Sequence, residues 1–334
     1  MISLESLSIF CRFSHFVVVM LMFGLSLFTA MLVSGHFSTL MRERLKVGVL
    51  VSTVLAFITS IIWFIVQAGL MGEGWDDVYS PDIWLAVLGT SFGQVWMWQL
   101  LIAVLAVGGL FLSNVKARNY LLLGCSIFLL SSHAFLGHAA MYEGRVGLLL
   151  QINQVIHLLS AGYWFGGLWP FLLCLQFPRL RTISETHLSS NQVHSGNETD
   201  VKSMAEKPGN NRNNSGEVAI NFYSDSVSAM RKFSLYGHFA VFLVIATGVV
   251  SSVILIPGWP IFNQTLSEYQ SMLWLKIALV VGMVFLALIN RYILVPKLKH
   301  KGCYQQLIIN SWLEIILGTS ALLCVAIFAT QPPA

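Results

Sequence analysis

The sequence predicts an all-α fold, a polytopic membrane bundle of about eight transmembrane helices. Three observations predict it. Charged residues make up 10% of the 334-residue chain, apolar residues reach 56%, and mean hydropathy is +0.73; soluble domains carry about 25% charge. Apolar runs long enough to cross ~30 Å of hydrocarbon recur along the chain. The basic residues are concentrated in alternate connections between those runs. So few charges do not cover the core that a soluble chain of this length would bury, so a soluble enzyme is excluded. High hydropathy excludes disorder for most of the chain. A net charge of +4 is too small to point to nucleic acid.

The eight runs lie at roughly 8–33, 47–71, 92–112, 119–140, 148–176, 233–256, 271–294 and 308–329. They are too long and too uniformly apolar for the ~10-residue alternating strands of an outer-membrane barrel. Backbone groups in lipid must be satisfied within each segment, so each run is assigned as helix. The first run lacks the basic start and small-residue cleavage site of a signal peptide, and is expected to remain as the first helix.

Charge sets the expected orientation. Sixteen of the nineteen Lys and Arg residues fall in connections 1–2, 3–4, 5–6 and 7–8, leaving Arg12, Arg145 and Lys276 on the other side. The positive-inside rule makes the first set cytoplasmic. Both termini are then expected to be periplasmic, in a bacterial inner (plasma) membrane crossed several times. The outward connections are acidic (Glu73, Asp76, Asp77, Asp82, Glu268), and Trp75, Trp84, Trp96, Trp98, Trp259 and Trp274 fall near the same interface as an aromatic belt.

The chain divides into helices 1–5 (1–181), a polar Asn/Ser-rich stretch (182–228) and helices 6–8 (229–334). The middle stretch is expected to be a disordered cytoplasmic linker, with His187 and His194 solvated. Cys11, Cys125, Cys174, Cys303 and Cys324 are scattered and form no CxxC pair. No Walker A sequence, nucleotide fingerprint or nucleophile elbow occurs, so neither a nucleotide partner nor an enzyme is expected.

Ionisable residues within spans mark function. Counting ~1.5 Å of rise per residue, His15 and His133 lie about 10 Å below the outward surface and His157 about 13 Å below it. Three uncharged imidazoles from three helices thus share one depth, with His138 and Met141 nearer the mouth. Imidazole and thioether suit copper, the thioether Cu(I) especially, whereas the carboxylates that suit hard cations are nearly absent from the spans. His15, His133, His138, Met141 and His157 are therefore the candidate metal ligands. His36 and His238 lie at the cytoplasmic ends of helices 1 and 6. With His15 and His157 they leave open a different reading, two bis-His b-type haems in an electron-transfer or metalloreductase protein.

On helix 5, Gly162 and Gly166 form a small-xxx-small pair that allows close helix approach and turns the His157 face inward. Glu314 enters helix 8 from the cytoplasmic side, where an ion pair with Arg291 is expected. Lys276 and Arg12 are expected to snorkel outward.

The ordered residues resemble the copper resistance protein D (CopD) family of bacterial inner-membrane proteins. Gly137-His138-Ala139 is followed by His157-Leu158-Leu159-Ser160-Ala161-Gly162, Trp164 and Gly166-Gly167-Leu168. Then come Arg231-Lys232-Phe233-Ser234, Thr247-Gly248, Tyr269, Lys276, Asn290-Arg291, Pro296, Glu314, Gly318 and Pro332-Pro333. The likeness covers about 130–334 well and is weaker over the first three helices, where it rests on Arg12, His15 and topology. The 182–228 stretch is longer than the family's usual connection. The resemblance implies copper homeostasis, movement of copper into the cytoplasm, and a periplasmic copper-binding partner of the copper resistance protein C (CopC) type.

Overall fold

The computed structural model describes residues 3–137, 142–194, 211–256, 267–297 and 301–329, with side chains omitted at 36, 176–194, 211–223 and 301. Among the described residues there are helices and no strands. They are α1 (Leu4–Leu27), α2 (Gly35–Met71), α3 (Pro81–Leu88), α4 (Ser91–Gly109), α5 (Val115–Ser132), α6 (Gly144–His194), α7 (Asn211–Leu255), α8 (Glu268–Ile289) and α9 (Lys301–Phe328). Seven helical segments are long and apolar enough to cross a membrane: Leu4–Leu32, Phe37–Met71, Ser91–Gly109, Gly144–Leu175, Ser224–Leu255, Glu268–Lys297 and Gly302–Phe328. The remaining expected span falls on α5, a helix of 18 residues whose first turn holds Lys116, Arg118 and Asn119.

Local chemistry fixes several helix starts. The Ser3, Thr90 and Asn114 side chains accept from the backbone N–H groups of Ser6, Gly93, and Lys116 with Ala117. Ser267 and Gln270 form a capping box at α8. Each cap satisfies donors that the first helical turn leaves unpaired. The outward 2–3 connection is itself ordered: a 3₁₀ turn at Trp75–Tyr79 leads into α3, and Trp84 Nε1 donates to Val78 O at 3.0 Å.

Several helix ends differ from expectation. The second helix was expected from 47, but α2 begins at Gly35, so Arg42, Arg44 and Lys46 lie in its first turns and not in a loop. Helix 4 was expected over 119–140, but α5 stops at Ser132, and His133–Phe135 form a 3₁₀ turn. Gly137 follows at φ +73°, a left-handed conformation that glycine adopts without steric cost and that ends the helix. At the linker, α6 continues to His194 and α7 begins at Asn211, so described helix enters 182–228 from both ends, while 195–210 lie outside the described residues.

Helix α1 sits at the centre, packed against α2, α5, α6 and α9; α6 packs against α1, α5, α7 and α9; α8 leans mainly on α9. The α1–α6 contact is backbone on backbone. A Cβ at Gly24 would stand 2.1 Å from Gly166 C, and one at Gly166 would stand 2.1 Å from Met20 O. The expected close approach at Gly166 is therefore real, and Gly24 is its partner. Around it Val19, Met20, Met22 and Phe23 pack with Leu129, Leu130, Leu158 and Phe165. On α2, Val47, Leu50, Val51, Leu55, Ile58 and Ile62 form an exposed apolar stripe at helical spacing, which water would penalise and hydrocarbon does not. All five cysteines are free.

Candidate metal centre and adjoining cavity

Hereafter the upper end of the bundle is the end where α1 starts and α9 finishes. Near this end, four helices aim polar or aromatic side chains at one buried point. Helix α1 supplies Arg12, His15 and Phe16, and α2 supplies Thr59, Trp63 and Gln67 at four-residue spacing. Helix α4 supplies Trp96 and Gln99, and the end of α5 supplies His133. His15 is 0% exposed and His133 5%. Their ring centroids lie 5.2 Å apart, with Trp63 5.6 Å from His15 and 5.9 Å from His133. Trp96 is held in place by donating from Nε1 to Ser60 O at 3.0 Å.

The partners define the tautomers. The Thr59 hydroxyl directs its proton to Leu55 O at 2.7 Å, so toward His15 it accepts, from Nδ1–H at 2.9 Å. His133 Nδ1 lies 2.6 Å from Leu129 O, and a carbonyl only accepts, so His133 also carries its proton on Nδ1. With Nδ1 as the donor, the neutral form of each ring carries a lone pair on Nε2; that of His133 faces the Gln99 amide Nε2 at 3.4 Å, which donates to it. An acceptor on Nδ1–H fixes the ring and leaves the other nitrogen available to a metal. His15 Nε2 is buried with no partner, as are Trp63 Nε1 and Gln99 Oε1 beside it. Three of the six such orphaned side-chain atoms among the described residues are thus gathered here. Buried polar atoms are normally paired, and a cluster of exceptions marks room for an ion or water.

Below and beside the pair lies a cavity of about 830 Å³ lined by α1, α2, α6, α7, α8 and α9, with His133 and His157 both on its wall. His157 uses the same device. Thr247 Oγ1 donates to Leu243 O at 2.5 Å and accepts from His157 Nδ1–H at 2.8 Å. Asn153 ties α6 to α7 alongside, donating to Thr247 O at 3.0 Å and Ser251 Oγ at 2.8 Å.

The structure thus brings His15 and His133 together and holds His157 apart. The shared depth expected from sequence does not make one ligand group of the three, because the Thr247 tether fixes His157 to α7. Among the described residues, no three His, Cys, Asp or Glu side chains are placed to hold one metal ion. His138 and Met141 lie outside the described residues. Met71 and Met97 point away from the bundle, 47% and 51% exposed. Of the alternative haem ligands, His15 does not line the cavity that His157 lines. The His36 side chain lies outside the described side chains, and His238 donates from Nδ1 to Ser234 O at 2.6 Å, edge-on to Tyr292.

The expected Glu314–Arg291 ion pair is corrected. Glu314 accepts from Asn290 Nδ2 at 2.7 Å and from Trp164 Nε1 at 3.2 Å, while Arg291 donates to Ser234 Oγ on α7. Asn290 and Arg291 are neighbours in the π-helical turn Asn290–Leu294, so they face different helices. Asn310 and Gln306 extend the amide chain behind Glu314, at 2.8 Å and 3.0 Å. Arg12 and Lys276 both reach the last turns of α9: Arg12 Nη1 donates to Ala326 O at 3.3 Å, and Lys276 Nζ lies 5.8 Å from the Phe328 ring centroid.

Sequence reasoning missed Thr59, Trp63, Gln99 and the tethering role of Thr247. Gln99 carried a signal, an amide inside an apolar run. Thr59, Trp63 and Gln67 carried a weaker one, three residues on one helical face.

Fold and site define a class: a polytopic helical membrane protein with a buried, uncharged imidazole pair above an apolar cavity. Within that class the chain belongs to the copper resistance protein D family, as its ordered motifs indicate. Residues 1–148 match the family description "Copper resistance protein D-like, N-terminal domain", and residues 227–328 match "Copper resistance protein D". The inner membrane protein YebZ of Escherichia coli (strain K12) is 33% identical over 330 residues, covering 96% of this chain and 97% of that protein. Copper resistance protein D of Pseudomonas syringae pv. tomato is 25% identical over 317 residues, covering 90% and 87%. No solved structure matches the chain.

Proposed function

We propose that this protein binds copper at the periplasmic face of the bacterial inner membrane and carries it toward the cytoplasm. Copper is cargo in this reading, and no catalytic step is assigned. His15 and His133 form the intramembrane site, His157 is the next imidazole on the cavity wall, and His138 with Met141 is where copper first binds at the mouth. A periplasmic copper-binding protein of the CopC type delivers it. The chain crosses the membrane eight times, with α5 as one crossing, and both termini face the periplasm, as the basic bias of alternate connections requires.

One observation carries the reading: the unpartnered, buried Nε2 of His15, in a ring 5.2 Å from that of His133, whose Nε2 faces the Gln99 amide at 3.4 Å. Neutral nitrogen donors without a carboxylate favour copper over magnesium or calcium. Family membership supports copper as the cargo.

The test is equilibrium copper binding to the purified protein. The His15→Ala/His133→Ala variant is expected to lose the tight site. Wild-type affinity in that variant sinks the assignment. Copper accumulation in cells with and without the protein separates a carrier from a sensor or scaffold that transports nothing.

A further inference from the structure

The cavity has two properties that the copper reading leaves unused. First, it is open at its side. Helices α7 and α8 both line it, yet the two barely touch one another. Three of its lining residues, Ile245 and Val249 on α7 and Val281 on α8, are 45%, 55% and 61% exposed. An opening between two membrane-spanning helices such as α7 and α8 faces hydrocarbon.

Second, its charge is one-sided. Arg12 and Lys276 are on its wall, and no Asp or Glu is among the residues that line it. Arg12 is partly compensated by Ala326 O and by the Trp63 face, 5.6 Å away. The half-buried Lys276 ammonium has the Phe328 ring 5.8 Å away and Cys324, on the same helix as Phe328, nearby, but no hydrogen-bond acceptor or carboxylate among the described residues. A cation in an apolar enclosure is costly unless an anion joins it.

We propose that this cleft is a binding site for an anionic phospholipid of the surrounding bilayer. The phosphate sits at the upper end between Lys276 and Arg12, and an acyl chain lies down the cavity between α7 and α8, along Ile277, Val280 and Val284. The site stands on the side opening and the unmatched lysine, independently of copper. If copper does travel by His133 and His157, the phosphate also removes an obstacle, because two bare cations on the wall of the same cavity repel an arriving copper ion.

The test uses the full chain reconstituted in phosphatidylcholine bilayers containing phosphatidylglycerol with a photo-crosslinking group on its acyl chain, the labelled residues being mapped by mass spectrometry. Labelling is expected at α7 and α8 residues that line the cleft. Lys276→Gln should reduce it about fivefold, the effect of one lysine near a lipid phosphate, relative to labels elsewhere on the protein. Lys276→Arg should keep it. If Lys276→Gln does not fold, Val281→Trp closes the seam while leaving the lysine in place, and should remove the cleft labels. Equal labelling by the same probe on phosphatidylcholine overturns the proposal, as does unchanged labelling in both Lys276→Gln and Val281→Trp. A Soret band in the purified protein that disappears in His157→Ala also overturns it, because a porphyrin would then occupy the cavity.

Discussion

His15 on α1 and His133 at the end of α5 stand ring to ring, 5.2 Å between centroids; His15 gives its Nδ1 proton to Thr59 and leaves Nε2 without a partner, while His133 gives its Nδ1 proton to Leu129 O and turns Nε2 to Gln99 Nε2 at 3.4 Å. The tethers matter as much as the rings. Thr59→Val removes the acceptor that keeps the His15 proton on Nδ1 without touching either imidazole. Loss of such an outer partner typically costs 10–100-fold in metal affinity. Copper titration of the variant should show a drop of about that size with unchanged helical content. Full retention of affinity would mean that the Thr59 hydrogen bond does not set the ligand.

Glu314 offers a test of the buried network on stability. Glu314→Ala leaves the Asn290 amide and the Trp164 indole without their acceptor, and each stranded donor costs about 1–3 kcal/mol. Glu314→Gln keeps an oxygen in place and should cost less. Arg291→Ala should leave this network intact, because Arg291 is bonded to Ser234. Thermal unfolding in detergent ranks the three, and an Arg291→Ala as damaging as Glu314→Ala would restore the ion pair that the geometry denies.

The α1–α6 contact predicts intolerance of any side chain. Gly166→Val places methyl groups where the backbone of Met20 already lies. Overpacking of this kind costs about 1–3 kcal/mol, and more where backbone is the obstacle. Gly124, which meets nothing within 4 Å of an added Cβ, serves as the control. Gly124→Ala should be nearly silent in the same unfolding assay, and a Gly166→Val protein as stable as wild type would show that α1 and α6 are farther apart.

Topology is checked with fusions. Alkaline phosphatase, active only outside the cytoplasm, should be active when joined after Ala334 and inactive when inserted between α1 and α2 at Val33–Ser34, beside the turns of α2 that hold Arg42, Arg44 and Lys46. The reverse pattern would invert the orientation read from the basic residues.

Much of this was legible in the sequence because membrane solvent imposes its own grammar. Long apolar runs, the alternation of basic connections and the Gly162–Gly166 spacing each follow from one-dimensional rules. The pairing of His15 with His133 was half legible, since depth along a helix can be counted from sequence but direction around it cannot. His157 shares their depth yet faces Thr247, a choice made by packing. Arg291 was assigned to Glu314 because it is charged. The neutral Asn290 beside it won the contact, since a single step along the helix swings a side chain by about 100°. The early end of α5 was signalled by Gly137, but a glycine inside an apolar run is read as helix unless its positive φ is seen. Lys276 was expected to snorkel to the interface, and the sequence held no sign that it lines a cavity.

The Gly24–Gly166 contact also decides which way is closed. Where two helices meet main chain to main chain, no layer of side chains remains for water or an ion to thread, so the α1–α6 seam beneath the histidines is a partition. Trp164, two residues before Gly166 on α6, stands on the cavity wall and donates from Nε1 to Glu314, which does not line the cavity. Two absent methyl groups thus turn one side of α6 into a wall of main chain.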